Sequence, residues 1–214
     1  MYKTIIFDLD GTLLNTLDDL KDSTNYALGK YGYAERSFDE IRSFVGNGIR
    51  KLIERALPAD VSEEEFTNVY ESFKAHYRIH CNDKTGPYPG IMELLEELKN
   101  RGIVCAIASN KSHPSVITLK EIYFEGYIQE AAGAVDGKPT KPNPYMVSNL
   151  MKNLDCIPEE TLYVGDSQVD VMTAANAGLD LVAVSWGFRT EEELKKAGAS
   201  IIIKHPLDLL NYLN

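Results

Sequence analysis

The sequence predicts an α/β fold in which a parallel sheet is covered by helices. Short apolar runs recur along the chain, and their β-branched and aliphatic residues are typical of strands buried on both faces. Helical stretches that stop at glycines lie between several of these runs. A long helical segment without a strand pattern follows the first run, and it predicts an all-helical insert.

The predicted strands of the core are short, and helices are predicted between some of them. In chain order these strands cover residues 5–7, 103–108, 161–164, 181–184 and 201–203. Apolar residues at helical spacing predict helices over 91–100, 143–153 and 168–177. Parallel strands need right-handed crossovers, and such sheets bind ligands beyond the carboxyl ends of their strands. Polar residues that directly follow an apolar run are therefore the candidate site residues.

The insert is predicted over residues 15–88, which leaves residues 1–14 and 89–214 for a Rossmann-like core domain. Amphipathic periods predict four helices in the insert, over 20–31, 38–45, 49–57 and 63–81. The segment from Lys84 to Gly90 is rich in glycine and proline, and it predicts a loop that returns the chain to the sheet.

Composition and charge limit the function. The 214 residues are 44% hydrophobic and 25% charged, which is typical of a globular protein with a sizeable core. A net charge of −10 disfavours partners such as nucleic acids and anionic membranes. The three cysteines are odd in number and widely spaced, so they predict no disulfide framework. With neither a signal peptide nor a membrane span in the sequence, we expect a cytoplasmic protein.

Two carboxylates, Asp8 and Asp10, follow the first predicted strand, and Gly11 allows a tight turn there. Two carboxylates at the carboxyl edge of a sheet can hold a hard cation through their oxygen atoms. Ser109 and Asn110 follow the next predicted strand. A hydroxyl and a backbone N–H at that position can both donate to an anionic oxygen.

Two further segments supply a lysine and more acids. Lys138 and Lys141 each precede a proline just before a predicted helix. Asp166 follows the 161–164 strand, and Asp170 lies four residues later on the next helix. Each segment alone is a weak signal. Their order at the ends of different strands is specific, because it brings them to one edge of the sheet.

Taken together, these segments resemble the four motifs of the haloacid dehalogenase-like hydrolase superfamily. The matching segments are Asp8-Leu9-Asp10-Gly11-Thr12, Ser109-Asn110, Lys141-Pro142-Asn143-Pro144, and Gly165-Asp166-Ser167 with Asp170. The likeness spans essentially the whole chain, and it is greatest to phosphoglycolate phosphatase-like members with a helical cap after the first motif. One departure is Asn15, where many relatives carry aspartate.

The resemblance implies a magnesium-dependent phosphatase that hydrolyses a small phosphate monoester. Its partner would be a small phosphorylated metabolite. Asp8 would be the nucleophile that forms an aspartyl-phosphate, and Asp10 the general acid and base. Asp8, the backbone carbonyl of Asp10 and Asp166 would bind Mg²⁺. On this hypothesis the carboxylates of Asp8 and Asp166 lie within about 8 Å of each other.

The remaining implied roles concern the phosphoryl group. Lys141, rather than Lys138, would neutralise one of its oxygens, while Ser109 would donate a hydrogen bond to it and Asn110 would assist. Asp170 would orient Lys141 or a metal-bound water. The acid at position 10 is absent from the dehalogenases and phosphonate-cleaving members of the family, so it indicates phosphate esters.

Several alternatives stay open. A phosphosugar mutase of the β-phosphoglucomutase kind shares all four motifs and the cap, and an inorganic pyrophosphatase is a third possibility on this fold. Outside the enzymes, the chain could be a phosphate-binding regulatory module. The sequence does not decide between a monomer and a homodimer. Gly46-Asn47-Gly48 and Arg50 are weaker candidates for substrate contacts, and the histidines are expected at helical surface positions.

Overall fold

The computed structural model describes residues 1–213, and the chain divides into two compact units. We call Met1–Leu14 together with the chain from Pro87 onward the core unit, and Asn15–Gly86 the helical unit. The helical unit is therefore an insert that interrupts the core unit after its first strand.

The core unit is built on a sheet of parallel strands. In chain order the strands of the protein are β1 (Thr4–Phe7), β2 (Leu14–Asn15), β3 (Gly86–Pro87), β4 (Val104–Ser112), β5 (Glu130–Ala134), β6 (Thr161–Gly165), β7 (Asp180–Val184) and β8 (Ile202–Ile203). The sheet has the order β5-β4-β1-β6-β7-β8, and each of its strand pairs is parallel. The predicted α/β fold class is confirmed.

The helices fall into two groups along the chain. Those of the helical unit are α1 (Leu17–Lys30), α2 (Phe38–Phe44), α3 (Ile49–Ala56) and α4 (Glu63–His80). Those of the core unit are α5 (Ile91–Asn100), α6 (His113–Phe124), α7 (Tyr145–Asn153), α8 (Gln168–Ala177) and α9 (Glu191–Ala197). Two short 3₁₀ segments, Pro158–Glu160 and Pro206–Tyr212, complete the core unit.

The central strands are buried because their side chains are apolar on both faces. All four residues of β1 are buried, and Ile5 and Phe7 lie in one apolar cluster while Ile6 lies in another. In β6, Val164 belongs to the first cluster and the fully buried Tyr163 to the second. The sheet therefore has a hydrophobic layer on each side, as a parallel sheet requires.

Strand register brings the predicted site residues to one edge. Phe7 of β1 pairs with Ile107 of β4 on one side and with Val164 of β6 on the other. Because the three strands run in the same direction, the residues that follow these positions emerge together at the carboxyl edge.

The helical unit is stabilised by local caps and by one buried carboxylate. Ser37 and Ser62 each form a reciprocal capping box, at the starts of α2 and α4 respectively. Asp19 of α1 is 2% exposed and accepts hydrogen bonds from the backbone N–H groups of Lys84 and Thr85 and from the Thr85 hydroxyl. The segment that leaves the unit is thus fixed to its first helix.

Three elements of the core unit were not predicted. Strand β5 has the sequence Glu-Ala-Ala-Gly-Ala, which lacks the β-branched residues that indicate a strand. Helices α6 and α9 have weak periodic signals, because α6 is apolar on more than one side and α9 buries only Leu194. Gly133 in β5 is required by packing, since a Cβ there would overlap the backbone of Lys111 and His113.

In the part of the chain that the structure describes, every helix is too short or too polar to cross a membrane.

Candidate active site

The loop after β1 carries Asp8 and Asp10 and turns sharply. The N–H groups of Leu13 and Leu14 both donate to the carbonyl oxygen of Leu9, and Gly11 within this turn has φ +89°. A positive φ is strained for residues with a side chain, so the turn requires glycine at this position. The Leu9 N–H also donates to Oδ1 of Asp8 at 2.7 Å, which fixes this carboxylate at the edge of the sheet.

Lys141 lies at the centre of the site and pairs with two carboxylates. Its Nζ atom is 2.8 Å from Oδ1 of Asp8 and 2.8 Å from Oδ1 of Asp170, and its side chain is 3% exposed. The same ammonium group donates to the hydroxyl of Tyr163 at 3.1 Å. The predicted contact between Asp170 and Lys141 is present.

The charge of Lys141 is maintained by its neighbours. Burial by itself lowers the pKa of a lysine, but the carboxylates of Asp170 and Asp8 raise the pKa of Lys141 well above its ordinary value. Lys141 therefore stays an ammonium ion throughout the physiological pH range, and it can neutralise anionic oxygens that approach Asp8.

Asn110 fixes the backbone of Lys141. Its side-chain amide donates to the carbonyl oxygen of Lys141 at 3.0 Å, and its Oδ1 atom accepts from the N–H of Lys141 at 2.8 Å. The family resemblance implies that Asn110 assists in binding the phosphoryl group. In the structure its amide joins β4 to the segment that carries Lys141.

Ser109 is the other predicted residue at the end of β4. It is 1% exposed, and its Oγ atom accepts a hydrogen bond from the N–H of Lys111 at 3.1 Å. A hydroxyl that accepts one hydrogen bond keeps its own proton for donation. Ser109 can therefore act as a donor to an anion.

Asp166 is held in a confined position at the end of β6. Its Oδ2 atom accepts from the N–H of Phe188 at 2.6 Å, and it is 1% exposed. A Cβ atom at Gly11 or at Gly187 would overlap this same oxygen. Two glycines thus provide the space that the carboxylate of Asp166 occupies.

Three carboxylates come close enough to share a cation. One oxygen atom each of Asp8, Asp166 and Asp170 lies within 4.8 Å of the others, so the two carboxylates that were expected within about 8 Å of each other are close. Asp170 is the least suited of the three to bind a metal, because its two oxygens already accept hydrogen bonds from Lys141, Tyr163 and Ser167.

The electrostatics of this cluster fit a divalent cation. Burial, followed by the charge of Asp170, raises the pKa of Asp8 to about 7, although Lys141 opposes the rise. Burial and the charges of Asp170 and Asp8 raise the pKa of Asp166 well above its ordinary value. Buried carboxylates that repel one another are ionised at neutral pH when a cation binds between them. The residues present therefore suit a hard metal such as Mg²⁺.

The second lysine of the site was missed by sequence reasoning. Nζ of Lys111 is 2.8 Å from Oδ1 of Asp10, and the Lys111 side chain is 3% exposed. Its partner lies 101 residues away along the chain, so no local pattern indicates the pair. The one available signal was a lysine two positions after Ser109.

Several weaker candidates have other partners. Lys138 is exposed and lies over the ring of Tyr145. Arg50 pairs with Glu54 and Glu63 within the helical unit, which accounts for its charge locally.

Two of the histidines lie on α4 and have side-chain partners. His76 is half-buried, stacks on Tyr26 and on His80, and bonds to the hydroxyl of Ser23 at 3.0 Å. His80 pairs with Asp83.

This arrangement can transfer a phosphoryl group. The carboxylate of Asp8 is fixed beside the ammonium group of Lys141, and a second carboxylate, Asp10, follows two residues later. Ser109 offers a hydroxyl donor, and Asp8 and Asp166 lie close enough to share a cation. Phosphoryl transfer requires a nucleophile, an acid–base group and charge stabilisation, and side chains of these chemical types lie together at one edge of the sheet.

Comparison with known proteins agrees with this chemistry. Residues 5–184 match the family model described as haloacid dehalogenase-like hydrolase. A phosphoglycolate phosphatase of Rhodobacter capsulatus is 35% identical over 88% of this chain and 87% of its own length. One of Caulobacter vibrioides is 32% identical over 96% of this chain and 88% of its own length. A solved structure from Lactobacillus delbrueckii subsp. bulgaricus has 35% identity and a TM-score of 0.95, with 99% of this chain and 98% of that one covered.

The chain therefore belongs to the haloacid dehalogenase-like hydrolase family. The resemblance that the motifs indicated is confirmed.

Proposed function

We propose that the chain is a magnesium-dependent phosphatase whose substrate is a small phosphate monoester, with phosphoglycolate as the first candidate. The observation that supports the proposal most is the position of Asp8. Its carboxylate pairs with the ammonium group of Lys141 and also lies within 4.8 Å of the carboxylate of Asp166. The curated relatives described as phosphoglycolate phosphatases supply the candidate substrate. The cytoplasm is the proposed location.

In the first step an oxygen of Asp8 attacks phosphorus and the bond between phosphorus and the ester oxygen breaks. Asp10 gives its proton to that oxygen, which leaves as an alcohol, and the phosphoryl group stays on Asp8 as an acyl phosphate. In the second step Asp10 takes a proton from water, whose oxygen attacks phosphorus. Inorganic phosphate leaves, and the carboxylate of Asp8 is restored.

Other side chains stabilise charge during both steps. Lys141 keeps the carboxylate of Asp8 in place and lowers the repulsion between it and the phosphate. Ser109 donates to a phosphoryl oxygen through its hydroxyl. A bound Mg²⁺, held by Asp8, Asp166 and the backbone carbonyl of Asp10, would supply the charge that a chain of net charge −10 otherwise lacks at this edge.

Asn110 and Asp170 act through Lys141. The Asn110 side chain forms hydrogen bonds with both the N–H and the carbonyl oxygen of Lys141. Asp170 pairs with the ammonium group of Lys141. We therefore propose that both are positioning residues.

The test is a phosphate-release assay on purified protein with Mg²⁺. The panel contains phosphoglycolate, sugar phosphates, nucleotides and inorganic pyrophosphate, each with and without chelator, and Asp8→Asn is the inactive control. We expect chelator-sensitive release with the highest kcat/KM for phosphoglycolate. Preferred hydrolysis of pyrophosphate, or interconversion of hexose phosphates without release of phosphate, would contradict the proposal.

A further inference from the structure

The core unit has a second buried lysine whose position the proposed chemistry does not explain. Lys111 lies on β4 two residues after Ser109, and its backbone N–H donates to the Ser109 hydroxyl at 3.1 Å. Its ammonium group contacts Oδ1 of Asp10 at 2.8 Å. A lysine is rarely buried to this extent without an anionic partner or a role in binding an anion.

The two buried lysines serve different parts of the site. Lys141 lies on the closed side, where its partners Asp170 and Tyr163 have side chains with almost no exposure. Lys111 meets Asp10, whose side chain is 19% exposed, against 11% for Asp8. The pair of Lys111 and Asp10 is therefore on the more open side of the nucleophile.

The open side is where the leaving group must lie. In the proposed mechanism Asp10 gives its proton to the ester oxygen, so this oxygen is within hydrogen-bond distance of Asp10. Because the Lys111 ammonium group already contacts Asp10, it is close to whatever group the ester oxygen carries. A carboxylate separated from that oxygen by a single carbon atom falls within its reach.

We propose that Lys111 determines specificity by binding a carboxylate on the leaving group of the substrate. This inference rests on the proposed function, and it defines the substrate class as esters of 2-hydroxy acids. The ammonium ion offsets the repulsion that the surrounding aspartates exert on a second negative charge of the substrate. Esters with an uncharged group at this position gain nothing from Lys111.

The experiment compares two substrates that differ in one charge, phosphoglycolate and its amide, phosphoglycolamide. We expect wild-type kcat/KM to be higher for phosphoglycolate. In Lys111→Met, which keeps the length of the side chain, this preference falls by about 10- to 100-fold, the range for a lost hydrogen bond to a charged group. Lys111→Arg restores part of the preference.

A purely structural role for Lys111 gives a different result. If Lys111 only holds Asp10, then Lys111→Met lowers kcat/KM for both substrates by the same factor, and the inference is overturned. A wild-type enzyme that does not distinguish the two substrates overturns it as well, and this measurement does not depend on whether the variant folds.

A binding measurement separates this inference from the proposed function. Calorimetric titration of Asp8→Asn, with and without Lys111→Met, measures affinity for phosphoglycolate and phosphoglycolamide without turnover. If this titration shows a charge preference that depends on Lys111, while the wild type hydrolyses neither compound, the inference is supported and the proposed function is contradicted. Hydrolysis of both compounds without any charge preference would support the proposed function and contradict the inference.

Discussion

The Nζ atom of Lys141 lies 2.8 Å from Oδ1 of Asp8, and the same atom lies 2.8 Å from Oδ1 of Asp170. One ammonium ion thus compensates the charge of the proposed nucleophile and of a carboxylate behind it. Neither acid can lose this partner without leaving a buried negative charge unpaired. The site and the stability of the core unit therefore depend on the same contact.

The first prediction concerns the choice between the two lysines near α7. Lys141→Ala removes the ammonium ion from two buried carboxylates, so we expect kcat to fall by at least about 10²-fold and stability to fall by about 3 kcal/mol. The control is Lys138→Ala, since Lys138 is exposed. Phosphate release and urea unfolding check both effects. Near-normal turnover in Lys141→Ala, with loss in Lys138→Ala, would reverse the assignment.

The second prediction concerns Asn110 as a positioning residue. Asn110→Ala removes both hydrogen bonds to the backbone of Lys141, and we expect kcat to fall by about 10-fold or more while KM changes little. The matched control is Asn176→Ala, because the amide of Asn176 donates to the carbonyl oxygen of Pro142, the next residue of the same segment. Each variant should lose about 1 kcal/mol of stability. A rise in KM with unchanged kcat in Asn110→Ala would instead indicate direct binding of the substrate.

The third prediction concerns pH and the cation. The pKa of Asp8 is raised from 3.8 to about 7, first by burial and then by Asp170. Between these values the folded protein binds more protons than the unfolded chain does, so without a divalent cation its stability falls as the pH rises through this window. The raised pKa of Asp166 acts in the same direction. Asp8→Asn should therefore be more stable than the metal-free wild type at neutral pH, by up to about 4 kcal/mol.

Urea unfolding in the presence of chelator, at about pH 4.5 and about pH 7.5, measures this difference. Mg²⁺ should then stabilise the wild type more than Asp8→Asn, because a cation that binds only the folded protein stabilises it and Asp8 is one of the proposed ligands. Parallel pH dependence of the two proteins would show that Asp8 is ionised in the metal-free fold.

The fourth prediction concerns the space around Asp166. A Cβ atom at Gly187 would overlap Oδ2 of Asp166 and the carbonyl oxygen of Gly11. We therefore expect Gly187→Ala to displace the proposed metal ligand, with at least a 10-fold loss of Mg²⁺ affinity. Gly29→Ala is the control, because nothing lies within 4 Å of a Cβ at this helical position. Thermal shift on Mg²⁺ titration provides the measurement, and an unchanged affinity would exclude the steric argument.

Some elements could be predicted from sequence because their signals are local. Helices α5 and α8 begin and end at the predicted residues, and a glycine lies just beyond or close to the end of each. The start of α7 was predicted two residues early, at residue 143 rather than Tyr145, because Asn143 and Pro144 belong to the turn before the helix. Strand β5 was missed because its small residues carry no periodic signal.

What the sequence determined by itself is the class of fold, the family and the residues at the ends of β1, β4 and β6. These follow from runs and motifs whose members are neighbours along the chain. The tertiary structure alone decided that Lys111 pairs with Asp10 and that Asn110 holds the backbone of Lys141. The physical reason is that ion pairs and hydrogen bonds depend on distance in space. Residues far apart in the chain acquire these partners only when the parallel strands bring their carboxyl ends to one edge.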